Sequence, residues 1–271
     1  MIQQNRPQIR IGVVLSCGGL RGTAHLGVLR QLLRHDIPID VMVGVSAGAI
    51  IAGFYAGAGL TVEDMINDAP TFRGRHVLMQ GISARVHSSL KPFFQPYCGV
   101  IPTRLAQLNE ARFDRLHHGI QDLGIVCHDL MSNRPVYFSS GRDHGVSMAT
   151  IVKTSAAVPA MLPTTMVTID GRRRRLVDGG LSDSLPVDFA RSPALNATHV
   201  IVSDCRVRGD IRQDADVAYI RPQLDGIGSF RAPAATLMAA VHAGEEAVTP
   251  AHIRQIRSWV QHENTRQVVG L

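Results

Sequence analysis

Two short runs near the start of the chain are almost wholly apolar: residues 9–15, rich in Ile and Val with Arg10 as the one charge, and residues 41–45, Val-Met-Val-Gly-Val. Unbroken hydrophobicity marks strands covered on both faces, the habit of parallel sheets. Between them, residues 23–35 carry Leu26, Leu29, Leu32 and Leu33 at helical spacing, and Pro38 with Asp40 ends the connection. Strand, glycine-rich turn, helix and strand again make a βαβ unit, which predicts a layered α/β fold. Residues 41–62 hold no charge and are long enough to span a bilayer. Their first five residues read as the strand and Gly44 to Gly48 as a tight turn. Only residues 47–59 remain for a helix, too short to cross, and burial within the protein accounts for its apolar faces.

The pattern then changes. Residues 61–120 are loop-rich and amphipathic, with a helix start at Thr61 and Asp64 and punctuation at Pro70, Pro92, Pro96 and Pro102. This stretch reads as a helical cap inserted into the fold. Residues 124–128 and 134–139 predict a strand pair around Ser132-Asn133, and residues 150–157 a short helix stopped by Pro159 and Pro163. A hairpin-like pair, 167–170 and 174–177, is joined by an arginine-rich turn. Strands at 199–204 and 218–221 and helices at 236–246 and 250–261 complete the reading. No repeat or linker divides the chain, so a single domain over residues 8–262 is expected.

Composition narrows the class. Of 271 residues, 45% are hydrophobic and 18% charged, which excludes a disordered chain, a coiled coil and a collagen-like repeat. The net charge of +6 is almost all arginine, because Lys91 and Lys153 are the only lysines. That excess is scattered apart from Arg172, Arg173, Arg174 and Arg175; it is compatible with an anionic membrane surface or with nucleic acid and demands neither, and no nucleic-acid partner is expected. Cys17, Cys98, Cys127 and Cys205 form no C-x-x-C pair and no H-E-x-x-H occurs, so neither a disulfide framework, a metal site nor a cofactor is expected. Arg6 and Arg10 ahead of residues 11–17 have the flavour of an export signal. The apolar stretch falls short of the ~7–15 residues such a signal needs, so it reads as a strand in a protein of the reducing cytoplasm.

Three places can carry chemistry. Gly44-Val45-Ser46-Ala47-Gly48 lies at a strand-to-helix turn, the context in which G-x-S-x-G presents a nucleophilic serine on a strained elbow. Cys17-Gly18-Gly19-Leu20-Arg21-Gly22 is also a strand-to-helix turn; it reads as an oxyanion hole of main-chain N–H groups, or as an incomplete dinucleotide fingerprint with Cys17 in place of its first glycine. Asp178-Gly179-Gly180 follows Leu176-Val177 and reads as an Asx turn or as a carboxylate at a strand end. To serve as a base for serine, that carboxylate must be sequestered, its proton affinity raised, and within hydrogen-bond reach of Ser46.

Taken together these segments resemble the patatin-like phospholipases, in the bacterial and neuropathy-target-esterase branch. The resemblance rests on residues 18–29, on Gly44-Val45-Ser46-Ala47-Gly48-Ala49 and on Asp178-Gly179-Gly180-Leu181. His128-Asp129-Leu130, residues 154–159 and Leu185-Pro186-Val187-Asp188 support it, in the family's order over roughly residues 10–250. It implies a three-layer α/β/α sandwich with a mostly parallel central sheet, and a serine acyl hydrolase without cofactor that acts on phospholipid or another lipid ester. By position it implies Ser46 as nucleophile, Asp178 as base, and the Gly18, Gly19, Leu20 and Arg21 amides as oxyanion hole. Gly22, Gly44, Gly48, Gly179 and Gly180 fall at motif positions. Cys17 departs from the family's usual third glycine, which leaves open a weakened or inactive lipid-binding relative if that position needs positive φ.

A conventional Ser-His-Asp triad using His199 or His242 is the other enzymatic reading. Met65, Phe72, Met79, Phe93 and Phe94 of the cap are candidates for an acyl-chain pocket or for plain core. Residues 172–175 are either a solvated hairpin tip or a contact for lipid headgroups.

Overall fold

The computed structural model describes residues 9–69, 71, 74–210, 214–229 and 233–268; Arg6, Pro7, the expected domain start at residue 8, Pro70 and Phe72 lie outside them. The first βαβ unit is β1 (Ile11–Leu15), α1 (Ala24–Arg34) and β2 (Val41–Val45), followed by α2 (Ala47–Ala52) and one π-helical turn, Gly53–Gly57. The cap holds α3 (Val62–Asp68), α4 (Gly74–Arg85), α5 (Lys91–Phe94) and α6 (Ile101–Asn109). Then come β3 (Asp122–Asp129), β4 (Arg134–Ser139), α7 (Met148–Ser155), β5 (Thr165–Ile169) and β6 (Arg172–Asp178). The chain continues through α8 (Val187–Arg191), β7 (His199–Ser203), β8 (Val217–Ile220), α9 (Ala234–Ala247) and α10 (Pro250–Val268).

Five strands, in the order β3-β2-β1-β7-β8, are parallel, and β4, β5 and β6 join them antiparallel. Side-chain alternation splits the core into two layers. Val13 and Leu15, Met42, Ile125 and Ile201 face a thick layer that includes α1, α2, α7, α9 and α10. Val14, Val43, Val45, Val126, Val200 and Val202 face the other way, onto α8 and the segment carrying Leu195 and Ala197. Both faces are covered, which is why the strands read as unbroken apolar runs. Residues 11–15 are a buried core strand, and no helix among the described residues is long and apolar enough to cross a membrane.

Two details differ from the sequence reading. Leu26, Leu29 and Leu32 are buried, whereas Leu33 turns outward. The β5–β6 turn is Asp170-Gly171, both at positive φ, and the four arginines stand in β6 itself. Arg174 reaches Asp129 across the sheet, 3.5 Å away. An aspartate-glycine pair suits the left-handed conformations a two-residue hairpin demands, so the charge run is displaced into the strand.

One feature of the sheet positions everything below. The first five residues of β3 pair with β2, ending at Val45↔Val126, and its last three pair with β6, starting at Cys127↔Asp178. Because β4 occupies the other edge of β3 throughout Gly124 to Asp129, β2 and β6 share one edge. One runs with β3 and the other against it, so their C-terminal tips meet end to end.

Candidate active site

Ser46 follows the tip of β2 with φ 57° and ψ -120°, a conformation costly for a residue with a β-carbon. Three contacts hold it. Its N–H donates to Ser155 Oγ on α7 at 3.0 Å, its carbonyl accepts the Ile50 N–H at 3.2 Å, and its Oγ donates to Asp178 Oδ2 at 2.6 Å. Ser155 Oγ in turn donates to the Val126 carbonyl at 2.6 Å, so one buried hydroxyl clamps the elbow to β3. The turn closes only because Gly48 has no side chain: a β-carbon there would lie 2.2 Å from the Leu15 carbonyl oxygen.

Asp178 ends β6. Its Oδ1 accepts the Gly180 N–H at 2.8 Å, while Oδ2 faces Ser46. Ser46 and Asp178 are each only 6% exposed. Burial raises the Asp178 pKa above the ordinary carboxylate range, and the bonds from Ser46 and Gly180 offset part of that. The structure therefore brings together the two side chains that the sequence places 132 positions apart.

The glycine turn packs beside them. Gly19 has φ 57°, and a side chain there would strike the Ser229 carbonyl. The Leu20 N–H is already committed to that carbonyl at 2.8 Å, a contact from outside its own helical turn. Gly18 and Gly19 N–H groups have no acceptor among the described residues. The Arg21 side chain points away, donating to the carbonyls of Cys205, Leu224 and Ile227. Cys17 is not among the residues at positive φ, so the substitution carries no backbone strain. Half-buried and close to the Asp178 charge, its thiol is pushed up to about 11 and stays protonated. Of the motif glycines, Gly22 abuts Ala47, Gly44 abuts Gly48, Gly179 abuts Val126, and Gly180 abuts Cys17.

Behind this loop lies His25, which sequence reasoning did not single out. It is fully buried, and burial lowers its pKa to about 4, so the ring is neutral. Nε2 donates to the Ser16 carbonyl at 3.0 Å, which leaves Nδ1 to accept from Ser203 Oγ at 2.7 Å. The ring ties α1 to the C-terminal ends of β1 and β7.

Neither histidine of the triad reading approaches the serine. His199 opens β7, paired with Ile11 at the start of β1, a full strand length from the end where Ser46 sits. His242 is an exposed residue of α9, 3.3 Å from Glu245.

Ser46 opens into a cavity of about 570 Å³, within the range of small-ligand sites. Its walls are mainly apolar: Ile50 and Phe54 from below, Met65, Leu105 and Leu108 from the cap, Leu162 from the side. Among the cap residues singled out from sequence, Met65 lines it, whereas Met79 and Phe94 are half-buried elsewhere and Phe93 is exposed. Ile101, Leu105 and Leu108 share one face of α6, a spacing that could have revealed that wall.

The family model for patatin-like phospholipases matches residues 13–191, the span from β1 through α8 that carries both Ser46 and Asp178. The chain belongs to the patatin-like phospholipase family. A patatin-like phospholipase domain-containing protein of Caenorhabditis elegans is 30% identical over 207 residues, 74% of this chain and 17% of that one. Lysophospholipase nte1 of Aspergillus fumigatus is 31% identical over 186 residues, 67% of this chain and 11% of its own. The chain thus spans less than a fifth of the length of these relatives. Among solved structures, VipD from Legionella pneumophila superposes with a TM-score of 0.55 over 93% of this chain and 67% of its own, at 14% identity, a likeness of fold. A patatin-like chain with this α/β sandwich agrees with the architecture expected from the strand runs.

Proposed function

We propose that this patatin-like chain is a serine acyl hydrolase acting on lipid esters through Ser46 and Asp178. The observation that carries the reading is the 2.6 Å bond from Ser46 Oγ to a buried carboxylate whose proton affinity is raised. Ser46 Oγ attacks the ester carbonyl as its proton passes to Asp178, and the Gly18 and Gly19 N–H groups, with the Arg21 amide, receive the oxyanion. Collapse expels the alcohol, which takes the proton from Asp178. Water then attacks the acyl-serine by the same route, releasing the fatty acid and restoring the hydroxyl. The apolar cavity above Ser46 suits the acyl chain.

Access to lipid is proposed to lie at the cap rather than at the β6 arginines. Residues 74–109 contain Arg75, Arg85, Lys91 and Arg104 and no Asp or Glu. Leu90, Phe93 and Tyr97 project from the middle of this cationic stretch, the composition of a surface that rests on anionic lipid.

A fluorophosphonate probe should label the wild-type protein and spare Ser46→Ala, and fatty acid should be released from lysophospholipid by wild type alone. His199→Ala and His242→Ala should retain turnover. Labelling of Ser46→Ala, or wild-type rates in Asp178→Ala, would falsify the dyad.

A further inference from the structure

Three charged side chains line the cavity among the described residues: Asp68, Arg104 and Lys153. The first two cancel, because the Arg104 guanidinium grips Asp68 through Nε at 2.6 Å and Nη2 at 3.0 Å, a fork-to-carboxylate pair at the cap edge. Lys153 is different. Its ammonium has no carboxylate and no hydrogen-bond acceptor among the described residues, so the wall carries one uncompensated charge, and it is positive.

Placement gives that charge a role. Thr150, Lys153 and Thr154 lie at helical spacing on α7 and line the cavity, as does Val152. Ser155, two residues after Lys153 and fully buried, holds the Ser46 N–H. The helix that fixes the nucleophile thus carries the cation left uncompensated among the described residues. Lys153 is exposed at the rim, while its flank against the wall strips enough water to lower its pKa. A partly desolvated ammonium is stabilised when a ligand supplies the missing anion.

We infer that Lys153 is the headgroup subsite of this cavity: its ammonium binds the phosphate of a phospholipid or lysophospholipid whose acyl ester lies over Ser46. The inference rests on the acyl-hydrolase reading and adds to it a selectivity between lipid classes. Apolar walls accept an acyl chain whatever follows it; this uncompensated cation distinguishes a phosphate-bearing lipid from a neutral glyceride. The same ammonium could meet the carboxylate of a product fatty acid, and the experiment separates the two sources.

The kcat/KM ratio for lysophosphatidylglycerol over a monoacylglycerol of the same chain length is measured for wild type, Lys153→Gln and Lys153→Arg. The ratio should drop about tenfold in the glutamine variant, through KM rather than kcat, and recover in the arginine variant. Product inhibition by the free fatty acid should be the same in wild type and Lys153→Gln. An unchanged ratio, a loss shared equally by both substrates, or relief of fatty-acid inhibition in Lys153→Gln each overturns the phosphate assignment. Binding of the phosphate lipid is also measured in a Ser46→Ala background, with and without Lys153→Gln. A tenfold weakening there would uphold the subsite even if no hydrolysis is seen, whereas equal binding refutes it whatever the turnover.

Discussion

The cavity has a floor and a roof made on opposite terms. Its floor is the meeting of β2 and β6, where Ser46 and Asp178 are 6% exposed and backbones approach closely through glycines. Its roof is the cap, where Phe93 is 72% and Tyr97 63% exposed. The floor stores a strained serine and a carboxylate deprived of water, conditions that only a stiff, closely packed frame can impose. The roof supplies apolar area and positive charge, which need a surface but no fixed geometry. On the function proposed above, reactivity belongs to the floor and access to lipid to the roof.

The sharpest test of the floor is Asp178→Asn, which should lower kcat/KM by about 10³-fold while leaving the fold intact. Its stability should respond in the opposite sense. The folded Asp178 pKa is raised, so as pH climbs from the ordinary carboxylate range through that raised value, the unfolded chain sheds its proton first and the native state loses stability. The melting temperature of Asp178→Asn relative to wild type should therefore be higher at pH 7 than at pH 3.5. The same raised pKa predicts that wild-type kcat/KM declines on acidification at a pH above that of an ordinary aspartate.

Next in size, Gly48→Ala should destabilise the protein by about 1–3 kcal/mol or prevent folding, because its methyl group meets the Leu15 backbone carbonyl. Phe93→Ser on the roof should leave thermal unfolding almost unmoved. Comparable losses in both would erase the contrast.

Ser155→Ala removes the hydroxyl that accepts the Ser46 N–H and should reduce kcat about ten- to hundredfold with little change in KM. Ser155→Thr, which keeps the hydroxyl, should regain part of the rate. On the roof, Phe93→Ser with Tyr97→Ser should weaken binding to anionic vesicles severalfold and spare turnover of a short soluble ester. Smallest of all, Cys17→Gly should change kcat/KM by no more than about twofold, since that position is free of backbone strain.

The parts of the floor were legible to different degrees. Ser46 and Asp178 stand beside glycines in short motifs, so their candidacy could be read from adjacent residues. Ser155 falls within a matched segment, residues 154–159, but its role could not be read there, because it rests on contacts with Ser46 and Val126. Leu20 shows the reverse, an amide suggested by its motif and then occupied by the Ser229 carbonyl, a partner more than two hundred residues away. The cap was legible as an insertion because Thr61 and Asp64 form a capping box and the prolines punctuate it. Which of its apolar residues face the cavity was not, since core and pocket share one hydrophobic periodicity.

By itself, then, the order of residues determined what short-range physics controls: apolar runs that must be strands, a serine elbow between strand and helix, a glycine turn, an aspartate at a strand end. Tertiary structure alone decided that β2 and β6 share one edge of β3, so that an oxygen from each tip comes within 2.6 Å. It also decided that Arg104 is neutralised and that Lys153, among the described residues, is not. The physical reason is that periodicity and turn chemistry act over a few residues, while strand register and charge pairing depend on which distant segments packing brings side by side.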